Sequence, residues 1–175
     1  MSLHILIDGY NLIRQSPALN VIERRSLEEG REALLERLLS YKRAKHHPIT
    51  VVFDGAYADI HMERRTRWKG ISIVFSRPGE LADSVIKRIV TRERERAVVV
   101  TSDREVADFA AEHGAATIGS LEFENKMNMA THLDMNETDF AETEGEGWTP
   151  TTKKRGPSRR RSKQDRKRRT KTRKL

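Results

Sequence analysis

Four aspartates, Asp8, Asp54, Asp83 and Asp103, stand where an apolar run stops or where a helical pattern begins. Asp8 ends the run 3–7 in Ile7-Asp8-Gly9-Tyr10-Asn11, and Asp54 ends Ile49–Phe53 just before Gly55. Asp103 follows Ala97–Val100 across Thr101-Ser102, and Asp83 opens a helical pattern beyond Ile71–Phe75. In an open parallel sheet the carboxyl ends of the strands converge on one edge, where such folds bind their ligands. Carboxylates gathered there raise one another's pKa unless a cation lies between them. All-oxygen ligation selects a hard divalent ion, Mg²⁺ or Mn²⁺. Such an ion polarises a phosphodiester and acidifies water, so these residues point to metal-dependent phosphoryl chemistry. Taken singly, each aspartate also suits a helix cap or a turn. Asp103 reads most readily as a cap, Asp54 as a turn residue, and Asp83 gains from a helix macrodipole. Four caps on one sheet edge would be a larger coincidence.

The elements that must position them follow from the apolar pattern. Residues 3–7, Ile49–Phe53, Ile71–Phe75, Ala97–Val100 and 115–118 are short continuous apolar runs, as buried parallel strands are. Between them lie helical patterns. Ser26 with Glu29 forms a capping-box signature, and Leu27, Leu34, Leu35, Leu38 and Leu39 carry the apolar stripe to about Lys45. Residues 81–94 repeat it with Val85, Ile89 and Val90, and 103–113 form a helix closed by Gly114. Ser120 is expected to cap a last helix that ends near Met129. Strands alternating with helices, joined by short connections, predict an α/β fold with a parallel sheet wrapped by helices. The expected strand order is 3-2-1-4-5, which puts Asp8 at the centre.

Charge divides the 175 residues into three. The chain as a whole carries a formal +8, yet residues 1–130 are near neutral with 20 bases and 19 acids. Residues 131–150 hold six acids and no base, and 151–175 hold 14 bases with Asp165 as the one acid. The expected organisation is a folded domain over 1–130, an acidic disordered linker over 131–150 and a basic disordered tail over 151–175. Absence of cysteine excludes disulfides, thiolate zinc and cysteine nucleophiles. No apolar run approaches the ~18 residues of a membrane span. The apolar start is short, lacks a basic flank and contains Asp8, so a cytosolic protein is expected.

Other acidic α/β chemistries fit less well. A haloacid-dehalogenase-like phosphatase needs Asp-x-Asp after its first strand, whereas Gly9 and Tyr10 follow Asp8. A receiver domain needs an acidic pair before its first helix and a lysine after its last strand, and neither is evident. There is no Walker loop and no GxGxxG, and His46, His47 and His61 lack zinc spacing. The motifs Ile7-Asp8-Gly9-Tyr10-Asn11, Val52-Phe53-Asp54-Gly55, Gly79-Glu80-Leu81-Ala82-Asp83 and Val100-Thr101-Ser102-Asp103 together resemble the NYN domain, in its YacP-like branch, of the PIN-like nuclease superfamily. The resemblance covers residues 3 to about 125. It implies a PIN-like three-layer α/β/α sandwich and a divalent-metal endoribonuclease, with Asp8, Asp83 and Asp103 as the metal-binding carboxylates and Asp54 nearby. It further implies that Asn11 steadies the cluster or contacts the scissile phosphate, and that Glu80 assists the metal or a water. The Arg-rich stretch after Asp54 departs from the Gly-rich character expected of the family there. The implied reaction is hydrolysis by in-line attack of water, leaving a 5′-phosphate and a 3′-hydroxyl.

RNA is the expected partner, messenger or ribosomal, with the ribosome as a candidate and no membrane. Arg64, Arg65, Arg67 and Lys69 leave the acidic edge between two strands, where they could hold phosphates beside a stacking face on Trp68. The alternative is a solvated loop whose Trp68 packs on the core. In the tail, Arg159, Arg160, Arg161, Lys167, Arg168 and Arg169 belong to a run suited to polyanions. The acidic linker could fold back on that run and weaken non-specific binding. The rival function is a non-catalytic RNA- or ribosome-binding protein with the same fold; a nuclease acting on DNA would use the same carboxylates.

Overall fold

The computed structural model describes residues 3–57, 65–137 and 163–175. Strand β1 (His4–Asp8) leads into α1 (Gly9–Gln15), α2 (Pro17–Glu23) and α3 (Leu27–Lys45), and then β2 (Ile49–Phe53). A hairpin of β3 (Arg65–Trp68) and β4 (Ile71–Phe75) follows, then α4 (Ala82–Glu93), β5 (Ala97–Val100), α5 (Arg104–Glu112), β6 (Ala116–Ile118) and α6 (Ser120–Glu137). Helix α7 (Lys163–Arg173) closes the described chain. The sheet order is β3-β4-β2-β1-β5-β6, with every pair parallel except β3 with β4. The five expected strands therefore take the expected order, with β1 central.

Alternation along the strands splits the core in two. Ile5, Ile7, Val51, Phe53, Ile73 and Phe75 face α1, α2, α3 and α6, whose Leu12, Leu19, Leu34, Leu38 and Phe123 meet them. Leu6, Val52, Val74 and Val99 face α4 and α5 through Val85, Ile86, Ile89 and Val106. Two apolar faces under two helical layers make the expected three-layer sandwich.

The structure differs from the expectation in four places. Residues 9–23 form two seven-residue helices, separated by Ser16, whose hydroxyl caps α2 at Leu19 N, 3.2 Å away. Residues 65–68 form an antiparallel edge strand, turned into β4 by Lys69-Gly70, both with positive φ; such φ values are what two-residue hairpin turns demand. Helix α6 runs on to Glu137, past the expected end near Met129. The last is the basic tail, which was expected to be disordered throughout. Its residues 163–173 are helical and pack along β6, and Leu175 is buried at 3% exposure beside Tyr41, whose hydroxyl donates to Leu175 O at 3.1 Å. Arg168 Nε donates to Thr117 O at 3.0 Å, so part of the tail's charge is tied to the open edge of the sheet. Backbone carbonyl acceptors and one leucine fasten this helix, which is why its composition did not reveal it. Residues 138–162, covering most of the expected linker and the first half of the tail, lie outside the described residues.

Candidate active site

Parallel order brings the ends of β1, β2 and β5 side by side, with Ile7 opposite both Val51 and Val100. Asp8, Asp54 and Asp103 emerge from those three ends. Asp83 joins them from the first turn of α4, which packs under β1 and β2. Asp8 is 8% exposed and caps α1, accepting from Asn11 N at 3.1 Å. Asp103 caps α5, accepting from Val106 N at 3.1 Å, and its own N–H donates to Thr101 Oγ1. Asp54 accepts from Ala56 N at 2.9 Å in the turn after β2. Three of the four thus serve as the caps and turn formers their sequence positions suggested. Asp83 does not: the cap position of α4 is Leu81, with no side-chain capping bond.

Electrostatics ties the carboxylates together. Burial raises the Asp8 pKa to about 6, opposed by the Asn11 N–H and reinforced by the charges of Asp83 and Asp103. Asp83 is also raised, by burial first and then by Asp103, with Lys87 opposing. Among the described residues none of Asp8, Asp83 and Asp103 is ion-paired to lysine or arginine. Negative charge without a direct ion-pair partner on three neighbouring elements is what a hard cation would relieve. Also among the described residues, no three acidic or histidine side chains close on a point at ligand spacing.

The Asp-Gly-Tyr-Asn motif has a separate physical reason at each position. A Cβ on Gly9 would lie 2.3 Å from Cε1 of Phe53, so only glycine lets α1 start this close to β2. Tyr10 packs edge-on to Phe53 at 5.1 Å and accepts from Arg31 Nη1 at 2.9 Å. The Asn11 side-chain Oδ1 accepts from Ser102 N at 2.9 Å and from Ser120 Oγ at 2.7 Å, while Ser120 N donates to Ser102 Oγ at 3.2 Å. Asn11 thus ties the loop carrying Asp103 to the helix that Asp8 caps. Ser120 gives its hydroxyl to Asn11, and it is the Gly119 carbonyl that accepts from Phe123 N at the start of α6.

Not every expected residue joins this edge. Both Glu80 oxygens are engaged by Arg77 N at 3.1 Å and Arg88 Nη2 at 2.8 Å, which hold its pKa below the usual carboxylate range. Arg67 lies opposite Ser72, toward the amino end of β4, and Arg65 lies opposite Val74, nearer the carboxylates. Lys69 sits over the Trp68 ring at 4.4 Å and pairs with Glu36 at 3.5 Å, while Trp68 packs on the core as the alternative reading had it. Arg169 lines a shallow cavity with Glu122 and Lys126. Arg64, Arg159, Arg160 and Arg161, and the side chain of Lys167, lie outside the described residues. Two nearby residues, Lys87 and Glu105, were missed by sequence reasoning, and Ser120 was read there only as a helix cap. Lys87 and Glu105 pair across α4 and α5 beside Asp83, and that pairing raises the lysine pKa. The Asp83/Lys87 spacing of four was a readable signal once the helix was assigned.

A family model described as the YacP-like NYN domain matches residues 5–173. The chain belongs to the YacP-like NYN family. Its domain is of a nuclease-family type, and the match runs through α7. YacP of Bacillus subtilis (strain 168) is 29% identical over 85 residues, 49% of each protein, so the match spans about half the length of that relative. The crystal structure of Rae1 (YacP) from Bacillus subtilis superposes with a TM-score of 0.66 at 24% identity, over 79% of this chain and 80% of that one. A tryptophan-to-leucine mutant of the same protein gives 0.65 at 23%, over 81% and 85%. At such identity the YacP-like NYN chain and these structures share the fold.

Proposed function

We propose that the chain is a divalent-metal-dependent endoribonuclease that hydrolyses RNA to 5′-phosphate and 3′-hydroxyl ends, in the cytosol, in messenger decay or RNA processing. The observation that carries this reading is the group of Asp8, Asp83 and Asp103, none ion-paired among the described residues, in which burial first and the neighbouring carboxylates second raise the pKa of Asp8 and Asp83. Family membership supports nuclease chemistry, and RNA is the substrate we assign to it.

Asp8, Asp83 and Asp103 would hold Mg²⁺ or Mn²⁺ at the sheet edge, with Asp54 beside them. When bound, the ion supplies positive charge for the phosphodiester and a more acidic water. The remaining work falls to the chain. The cap bonds from Asn11 N and Val106 N fix one oxygen of Asp8 and Asp103, so each carboxylate is held before substrate arrives. Asn11, through Ser102 and Ser120, keeps the loop of Asp103 in register with α1; we assign it a positioning role. Preorganisation of this kind lets charge developing on the phosphate be met without rearrangement. The basic segment adds sequence-independent attraction for RNA, and the ribosome is a candidate carrier of that RNA.

Cleavage of a mixed RNA pool with and without chelator, by wild type and by Asp8→Asn, tests the proposal. Metal-dependent cleavage lost in the variant is expected; metal-independent cleavage, or full activity in Asp8→Asn, overturns it. The second reading, a non-catalytic RNA- or ribosome-binding protein, is favoured by the lack of a close ligand trio among the described residues. RNA binding without turnover at any Mg²⁺ or Mn²⁺ concentration would establish it.

A further inference from the structure

The amino ends of the parallel strands form a second feature, opposite the carboxylates. A cavity of about 790 Å³ opens there between β4, β2, β1 and the last turns of α3 and α4. Its lining includes Lys42, Arg65, Arg67, Arg92 and Arg96 against a single carboxylate, Glu93. Glu93 is shared among His4 at 3.7 Å, Arg92 at 3.5 Å and Arg96 at 3.6 Å, so it cannot neutralise the group. Burial lowers the His4 pKa, which leaves the charge to the lysine and arginines. Arg65 and Arg67 are exposed and in no ion pair among the described residues.

The hairpin links this cleft to the opposite edge. β3 runs antiparallel to β4, so Arg65 stands toward the carboxylate end and Arg67 toward the cleft, both on the α4 side of the sheet. Two residues along a strand are ~7 Å apart, and a five-residue strand spans roughly 15 Å. We propose that this cleft binds the sugar-phosphate backbone of single-stranded RNA, and that Arg65 and Arg67 guide one strand from it along β3 to the carboxylates. The path rests on the ribonuclease reading; the cleft's affinity for RNA does not. Cations on an edge strand also discourage pairing with another chain. That role accounts for Arg65 and Arg67 but not for Lys42, Arg92 and Arg96, which come from two helices and a strand lead-in and face the same space.

Binding measured in chelator, where no cleavage occurs, separates this proposal from the catalytic one. The probes are labelled oligouridylates of about three and about twelve nucleotides, the longer within the ~4–16 nucleotide range of single-strand sites. In the full chain, Arg67→Gln/Arg92→Gln/Arg96→Gln is expected to weaken the longer probe and to reduce its log–log salt slope by about 2, at ~0.7 per lost phosphate contact. The matching triple lysine variant, which keeps the charges, is expected to retain most of the slope. An unchanged slope in the glutamine variant, or equal loss in the lysine variant, overturns the proposal. So does equal loss for the shorter probe, because it would mean these cations act at a single point rather than along a path. Failure of wild type to cleave RNA at all would leave the cleft's affinity for RNA standing and count against the catalytic reading and the path that rests on it.

Discussion

Replacing Asp8 with Asn should make the metal-free protein more stable while making it inactive. The Asp8 carboxyl is raised from 3.8 to about 6, chiefly by burial and then by Asp83 and Asp103. It therefore binds its proton more tightly in the folded chain than in the unfolded one. The stability this gives is complete below about pH 4 and is lost as pH rises to about 6. Two units at 1.36 kcal/mol each put the cost of the ionised group near neutral pH at about 3 kcal/mol, as an upper figure. Asn keeps the shape and an oxygen for the Asn11 N–H, and removes the charge. In chelator at pH 7.5, Asp8→Asn should gain about 1–3 kcal/mol, roughly 3–10 °C in melting temperature for a chain of this size. Wild type should gain stability between pH 7 and pH 4 from this group, and the variant should lack that component. Saturating Mg²⁺ should close or reverse the gap: at 100 times its Kd it stabilises wild type by ~2.7 kcal/mol and the variant by much less. Thermal and urea unfolding at several pH values, with and without Mg²⁺, read all of this. A variant less stable than wild type in chelator, or one stabilised equally by Mg²⁺, would refute the reasoning.

Three further outcomes follow from the same geometry. Asn11→Ala removes the acceptor for Ser102 N and for the fully buried Ser120 hydroxyl; a stability loss of about 1–3 kcal/mol in urea unfolding is expected, with kcat lowered more than KM is raised. Gly55→Ala puts a Cβ 2.0 Å from Ser76 O at the turn after Asp54; the loop must shift, and destabilisation well above 1 kcal/mol with reduced activity is expected. Leu175→Ala should cost about 2 kcal/mol or more, because the side chain is buried in the main core cluster; hydrogen exchange should then show earlier opening of α7 than of β1.

Much of the framework could be read in the residues because buried parallel strands are continuous apolar runs, and the crossover rule leaves few ways to order them. Once the strand ends were known, Asp8, Asp54 and Asp103 had to share an edge. What escaped has physical reasons. Seven-residue helices such as α1 and α2 span too few turns to show a period. Arg65-Thr66-Arg67-Trp68 pairs on one side only, so its polar composition hides a strand. Helix α7 docks through carbonyl acceptors and Leu175 rather than an apolar stripe. Lys87, Glu105 and Ser120 matter because of which helices lie adjacent, which no local pattern records. The cations of residues 65–69 were expected beside the carboxylates, but the hairpin turns most of them toward the other end of the sheet.

The most direct measurement is anomalous diffraction from crystals of the protein soaked in Mn²⁺. A peak within ligand distance of Asp8 and of at least one of Asp83 and Asp103, directly or through an ordered water, and absent in Asp8→Asn, is the predicted result. A wild-type crystal that cleaves RNA on dissolution yet shows no such peak, or shows it only away from these carboxylates, would contradict the account.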